Sequence, residues 1–261
     1  MGKLLKPHST HREVELLDAL RAHGGSARTT KLAESLDVSE ETVRRTVKAL
    51  AKAGMVQRVH GGVYLSNSEA LSPVGSRLGK RTEEKRNIAK KTAALIPNES
   101  AVFLDVGSTT AFVAEILTDD HKGLTVVTNG VHAAQALVGK NSNTVHLAGG
   151  ELMSVAGGTF GQETIAFVDR FNIDVAVFSI DGFDPGSGFL LAASDEADLA
   201  RHVASRAKRI IVVCDHAKFG QSAPIIAFEP PHVTTVVTDK PVPRHIANVL
   251  NGWDIELITT G

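Results

Sequence analysis

The chain has 261 residues, enough for two domains, and its net charge of −1 is unevenly placed. Residues 1–65 carry 11 Lys or Arg against 7 Asp or Glu, a net of +4, and the remainder 17 against 22, a net of −5. A single cysteine, Cys214, excludes an intrachain disulfide, and no apolar run approaches the roughly 20 residues of a membrane span. The opening MGKLLKPHST is too short and polar for a signal peptide, so the expected location is the cytoplasm.

In chain order, Thr10-x-x-Glu13 has the form of a capping box and predicts a first helix running through Val14, Leu17 and Leu20 to Gly24-Gly25. Residues 29–65 read as a short helix, a tight turn at Asp37-Val38, a longer helix opened by Ser39, and two short strands joined at Gly61-Gly62. That order is a helix-turn-helix followed by a β wing, which lays its second helix in the DNA major groove. At about 100° per residue, Val43, Val47, Leu50 and Ala51 gather on one side of that helix. Arg44, Arg45, Lys48 and Lys52 fall opposite. A basic face on an isolated helix is usually only solvated; on the second helix of this motif it points to DNA. Arg44 and Arg45 suit guanine edges or phosphates, Lys48 and Lys52 phosphates, and Arg58 and His60 on the wing the backbone or minor groove. Ser39 and Thr42, at the helix start, complete the expected DNA-facing set.

Residues 66–80, with Pro73 and few large apolar side chains, read as a linker between a DNA-binding domain at 1–65 and a second domain at 81–261. A charged helix follows from residue 81. Beyond residue 100, β-rich runs at 101–105, 124–128, 144–148, 175–180, 210–214, 235–238 and 255–258 alternate with helical stretches at 109–118, 130–139, 161–170, 194–207 and 242–250. Near-continuous apolarity in the runs predicts strands covered on both faces, hence an α/β fold with a mostly parallel sheet.

Small polar residues cluster just after these runs: Asp105 with Gly107, Ser108, Thr109 and Thr110; Thr128 with Asn129 and Gly130; Gly149 and Gly150; Asp181 and Gly182; Asp215 with Lys218. In a parallel sheet such ends share one edge, where open α/β folds form their ligand crevice. Residues 107–110 also open a helix, whose free N–H groups and positive dipole end suit a phosphate or carboxylate. Any one of these loops, taken singly, is an ordinary βα turn; five on one edge predict a site. Lys218 is the countercharge for an anion, and the three aspartates suit sugar hydroxyls or cap turns. No Walker A loop, G-x-G-x-x-G after a strand, G-x-S-x-G elbow or zinc-ligand spacing is found, so neither a metal nor a cofactor is expected.

Together LDVSEETVRRTVKAL at 36–50, RVHGG at 58–62, R-x3-K-x2-IA at 81–89, FLDVGSTT at 103–110, VVTNG at 126–130, LAGG at 147–150 and DHAKFG at 215–220 resemble the DeoR family of bacterial transcription regulators. The likeness is greatest to its glycerol-3-phosphate-repressor-like branch and extends from about residue 10 onward. The resemblance implies a winged helix-turn-helix and a sensor similar to sugar-phosphate isomerases and CoA transferases. It also implies a phosphorylated sugar or polyol as effector and a dimer or tetramer. It places the family's anion loop on Gly107, Ser108, Thr109 and Thr110, further ligand loops on Thr128, Asn129, Gly130, Gly149 and Gly150, and its late lysine on Lys218. Thr46 stands where the family has Asp; by helical phase it lies beside the buried stripe, so helix packing or a subunit contact should feel the change more than base reading.

The expected function is therefore that of a transcription factor, a repressor released from its operator by a phosphorylated sugar. The rival is a sugar-phosphate isomerase or CoA-transferase-like enzyme carrying a DNA-binding head. Asp105, Asp181 or Asp215 would be its base, or Glu196 its nucleophile if that residue faced the crevice; in SDEADLAR at a helix start, Glu196 reads as a cap. A constitutive DNA-binding protein is disfavoured, because assembly alone has no need of polar strand-end loops and a lysine.

Overall fold

The computed structural model describes residues 10–59, 62–66 and 72–261. In the head, α1 (His11–Ala22) begins at the predicted capping box: the Glu13 amide donates to Thr10 Oγ1 at 3.3 Å and the Thr10 amide to Glu13 Oε2 at 2.8 Å. After β1 (Ser26–Ala27) come α2 (Thr29–Leu36) and α3 (Glu40–Lys52), and between them Asp37 turns the chain with φ +50°. Left-handed backbone of this kind suits a short polar side chain. The wing strands β2 (Val56–Val59) and β3 (Gly62–Leu65) pair antiparallel; their connection at His60 and Gly61 lies outside the described residues. β1 pairs with the other edge of β3, a third strand that two residues are too few to announce in sequence. Leu16, Leu17, Leu20, Leu32, Val43, Val47, Leu50 and Val63 form the head's core, each fully buried apolar side chain contributing about 2 kcal/mol.

The segment expected to be a spacer is partly folded. α4 (Val74–Leu78) buries Val74 against the body, where the Val74 amide donates to Val155 O at 2.9 Å. α5 (Thr82–Ala93) follows, and the buried Lys85 ammonium donates to Arg77 O at 2.6 Å and Lys80 O at 2.5 Å, tying the two helices together.

The body alternates as the apolar runs require: β4 (Ala101–Leu104), α6 (Ser108–Asp120), β5 (Thr125–Thr128), α7 (Val131–Leu137) and β6 (Thr144–Leu147). A hairpin of β7 (Glu151–Met153) and β8 (Gly158–Phe160) and helix α8 (Gln162–Val168) lead to β9 (Val175–Ser179). β10 (Gly182–Asp184), β11 (Gly188–Leu191), α9 (Ser194–Ala204), β12 (Arg209–Val213), β13 (Ile225–Ile226), β14 (Thr235–Thr238), α10 (Arg244–Gly252) and β15 (Glu256–Thr259) complete the chain. The seven strands expected from the apolar runs form one parallel sheet in the order β15-β14-β12-β9-β4-β5-β6. Strand alternation sends Val102 and Leu104 to a core with Ile88, Val113 and Leu137 of α5–α7, and Phe103 to one with Val168, Leu199 and Leu250 of α8–α10. Both faces are thus covered, as continuous apolarity demands. The small sheet β10-β11-β13 was not foreseen; its strands are two to four residues long.

Succession runs outward from β4 through β5 to β6, and in the other direction from β9 through β12 to β15. The order therefore reverses between β4 and β9, where ligands enter open α/β sheets. The head rests on the body's segment 221–224: the Ser26 hydroxyl donates to Ser222 O, and Arg28 Nε to Pro224 O. Among the described residues no helix is long and apolar enough to cross a membrane.

Candidate functional site

On the head, α3 turns Val43, Val47 and Leu50 inward and leaves Arg44, Arg45, Lys48 and Lys52 exposed, as the helical phase predicts. Arg44 is held by Glu40, Nη2 to Oε2 at 3.0 Å. Such an exposed i,i+4 pair is worth only about 0.3–0.5 kcal/mol and yields readily to a phosphate. Arg28, Arg44 and Arg58 line one cleft between α2, α3 and the wing, with Thr29 and Thr30 at the start of α2. Arg28 was not singled out from sequence, since nothing local sets it apart from other surface arginines. Ser39 and Thr42 stand at the start of α3. Ser39 Oγ accepts from the Thr42 amide at 3.2 Å and the two hydroxyls bond each other at 2.9 Å, so both serve the helix start. Thr46 is half-buried and donates to Thr42 O at 2.9 Å, beside the apolar stripe as its phase implies. His60 lies outside the described residues.

On the body, Asp105, Asp181 and Asp215 follow the C-terminal ends of the adjacent strands β4, β9 and β12. Backbone amides hold one oxygen of each: Ser179 N to Asp105 Oδ2 at 3.2 Å, Ala192 N to Asp181 Oδ2 at 2.9 Å, and Ala217 N to Asp215 Oδ1 at 3.0 Å. Two arginines from outside the sheet come down on them, Arg77 Nη1 3.6 Å from Asp181 Oδ1 and Arg81 Nε 3.1 Å from Asp215 Oδ1. Neither was given a site role from sequence: Arg77 fell in the presumed spacer, and Arg81 entered only as the first residue of the R-x3-K-x2-IA motif.

Gly107 makes the anion loop possible. Its φ is +148°, and a Cβ there would lie 2.1 Å from Ser179 Oγ, which itself donates to Val106 O at 3.1 Å. No side chain caps α6 at this end, which leaves the first-turn amides of Ser108, Thr109 and Thr110 as the natural anion donors. The Thr110 hydroxyl is fully buried and donates to Gly107 O at 3.0 Å, so it supports the loop instead of facing a ligand. Thr128 is likewise structural, donating to Leu104 O at 2.6 Å and accepting from the Gly130 amide at 3.0 Å. Asn129 donates to Thr159 O at 3.0 Å, while its buried Oδ1 has no partner among the described residues and remains available. Gly130 borders a narrow cleft with Asp105, Gly107, His132 and Gly157.

Lys218 is half-buried in a single 3-10 turn after β12, and His216 clasps that turn to Asp239 through its amide and Nδ1, both at 2.6 Å. β4 and β12 flank β9, so Gly107 and Lys218 sit about two strand spacings apart, roughly 10 Å. Gly149 and Gly150 follow β6, four spacings from β12 or about 19 Å. That strand order separates them from Lys218. Gly149 O instead accepts the Thr164 hydroxyl at 2.7 Å, and Gly150 lies against Phe160. Gly182 is a packing residue as well, since a Cβ there would come within 2.3 Å of Gln221 O.

Glu196 is one of two acidic residues in the first turn of α9, where the cap reading put it. Half-buried in the first turn of α9, it lies within the electrostatic reach of Asp181 and Arg77. Burial first, then the Asp181 carboxylate, push its carboxyl up to about 8, with Arg77 opposing. Burial, then Glu196 and Asp181, likewise raise Asp105 well above the usual carboxylate range, against the Ser179 hydrogen bond and Arg77. Both shifts favour the protonated carboxyls, and the crevice presents carboxyl and cationic groups together.

Two family models match the chain: a DeoR-like helix-turn-helix domain over residues 12–69 and a DeoR C terminal sensor domain over residues 80–240. The glycerol-3-phosphate regulon repressor of Escherichia coli K12 is 34% identical over 248 residues, covering 95% of this chain and 98% of the relative. The HTH-type transcriptional repressor CsqR of the same organism is 31% identical over 239 residues, 92% of this chain and 91% of the relative. Among solved structures, a D-ribose-5-phosphate isomerase in complex with phospho-erythronic acid is 20% identical with a TM-score of 0.40, covering 53% of this chain and 54% of that one.

Proposed function

The chain belongs to the DeoR family of transcriptional regulators, and on that footing we propose that it represses a sugar or polyol catabolic operon until a phosphorylated sugar or polyol releases it from its operator. The observation that carries the ligand class is the assembly at the β4–β9 switch point. Cationic donors suited to a phosphate (the α6 amides, Lys218, Arg77 and Arg81) stand beside carboxyl groups suited to hydroxyls (Asp105, Asp181, Asp215 and Glu196). The DNA-reading set is Arg44, Arg45, Lys48, Lys52 and Arg58, joined by Arg28 in the same cleft. The division at 1–65, 66–80 and 81–261 accords with the two matched ranges, with the 74–78 helix serving the body.

Assembly into a homo-oligomer is part of this reading. Leu147, Leu152, Met153 and Val155 are exposed next to the open edge strand β6, which supports a second copy covering that face. The enzymatic reading would make Glu196, which interacts with Asp181 and Arg77, a nucleophile. Its neighbours, however, equally serve hydroxyl recognition, and the relatives are named as regulators, so binding is its assigned role. The test is an anisotropy titration of operator DNA with a panel of sugar phosphates that includes sn-glycerol 3-phosphate. Release at a ligand-specific concentration is expected; indifference to the whole panel sinks the reading. Release needs different affinities for the DNA-bound and free states.

A further inference from the structure

Tyr64 is placed where the head alone cannot account for it. It sits in β3 between Val63 and Leu65, both of which pack in the head's core. Strand alternation therefore turns Tyr64 to the opposite face, away from that core. That face would be open to solvent on an isolated head, yet Tyr64 is 0% exposed. The body's segment 221–224 lies on this side: Ser26, directly across from Tyr64 on β1, donates to Ser222 O, Arg28 donates to Pro224 O, and a Cβ on Gly62 would touch Pro224. The same segment reaches the crevice, since Gly182, next to Asp181, packs on Gln221.

Among the described residues the buried tyrosine hydroxyl has no hydrogen bond of good geometry, the adjacent Ser26 hydroxyl giving its proton to Ser222 O. An unmet buried hydroxyl is costly and calls for a reason. Burial, then the Asp181 and Glu196 carboxylates, raise the phenol's pKa against the nearby Ser26 hydroxyl, which keeps it a neutral donor and places it in the field of the crevice.

We propose that Tyr64 completes the effector site from the DNA-binding domain, its hydroxyl hydrogen-bonding a ligand hydroxyl held beside Asp181 and Glu196. This rests on the phosphorylated-polyol reading above and adds the residue through which the head senses it. A ligand bound between head and body stabilises the docked head. In the docked head, Arg28 gives its Nε to Pro224 O instead of to a DNA phosphate, although it lines the same cleft as Arg44 and Arg58. By linkage, operator DNA must weaken ligand binding by the same factor that ligand weakens operator binding.

The experiment uses full-length Tyr64→Phe, which keeps the ring's packing. Calorimetric affinities for sn-glycerol 3-phosphate and for inorganic phosphate are measured beside the wild type, together with ligand-free operator affinity. Loss of one neutral hydrogen bond predicts roughly fivefold weaker sn-glycerol 3-phosphate binding. Inorganic phosphate, which has no polyol hydroxyls, should bind equally to both proteins, and ligand-free operator affinity should be unchanged. Equal sn-glycerol 3-phosphate affinity in the two proteins overturns the proposal. So does equal weakening for both ligands, or loss of ligand-free operator binding, since either marks a structural role. A wild type that binds no sn-glycerol 3-phosphate removes the underlying ligand reading and this proposal with it, an outcome visible before the variant is tested.

Discussion

Substituting Gly107 probes the anion loop and its seat together. Gly107→Ala imposes a side chain at φ +148° and sets its Cβ 2.1 Å from Ser179 Oγ and 3.0 Å from Ser179 Cβ. The backbone strain costs about 1–3 kcal/mol and the overpacking about as much again. A total of roughly 2–6 kcal/mol is a large share of a typical stability of about 5–15 kcal/mol. Ser179→Gly removes both clashing atoms but forfeits the 3.1 Å bond to Val106 O, worth about 1 kcal/mol. If the loop lies on Ser179, the double variant pays the strain but not the clash. Its loss should then fall short of the sum of the single losses by about 1–3 kcal/mol. Urea unfolding of the four proteins, read as midpoint and slope, measures this. Simple additivity would refute the seating of the loop on β9. In the same proteins, sugar-phosphate protection against heat should vanish in Gly107→Ala, while head-borne operator binding persists.

Glu196 titrates near the working range, and the sign follows from its raised value. The folded chain keeps a proton that the unfolded chain releases near the ordinary value of 4.5, so stability declines as pH rises from there to about 8. Above about 8 the new charge also opposes an anionic ligand. Wild-type affinity for the phosphorylated effector should therefore fall between pH 7 and 9 and stay nearly flat in Glu196→Gln; parallel falls in titration calorimetry would dismiss Glu196 from the site. Lys218→Ala should raise the effector concentration for operator release at least about tenfold in gel-shift titrations, with ligand-free DNA affinity unchanged; a matching loss of DNA affinity would contradict the division of labour. Arg44→Ala should abolish specific operator binding yet change unfolding free energy by no more than about 0.5 kcal/mol, because its Glu40 pair is exposed. Retained specificity in a footprint would remove Arg44 from the reading set.

Much of this was legible locally. The capping box at Thr10, the turn at Asp37, the N-cap at Ser39 and the apolar phase of α3 involve residues within four positions of one another, as did the apolar runs that became the seven parallel strands. The loops after those strands could be located the same way, Gly107 and Lys218 among them. What their hydroxyls and glycines were for could not. Thr110 and Thr128 look like ligand donors in a string of letters, but each finds a carbonyl in the fold, from Gly107 and Leu104 respectively.

The residue string alone determined the order of elements, the basic reading helix and the presence of polar loops at strand ends, because propensity, capping and periodicity act between near neighbours. Only tertiary structure decided which loops meet. Strand order brings Asp105, Asp181 and Asp215 side by side and carries Gly149 away; α4 and α5 fold Arg77 and Arg81 back over the sheet; α9 sets Glu196 within electrostatic reach of Asp181. The docking of the head likewise decided that Tyr64, outside its own domain's core, is buried against the other. These placements depend on strand pairing and burial between segments up to 196 residues apart, and no local pattern encodes them.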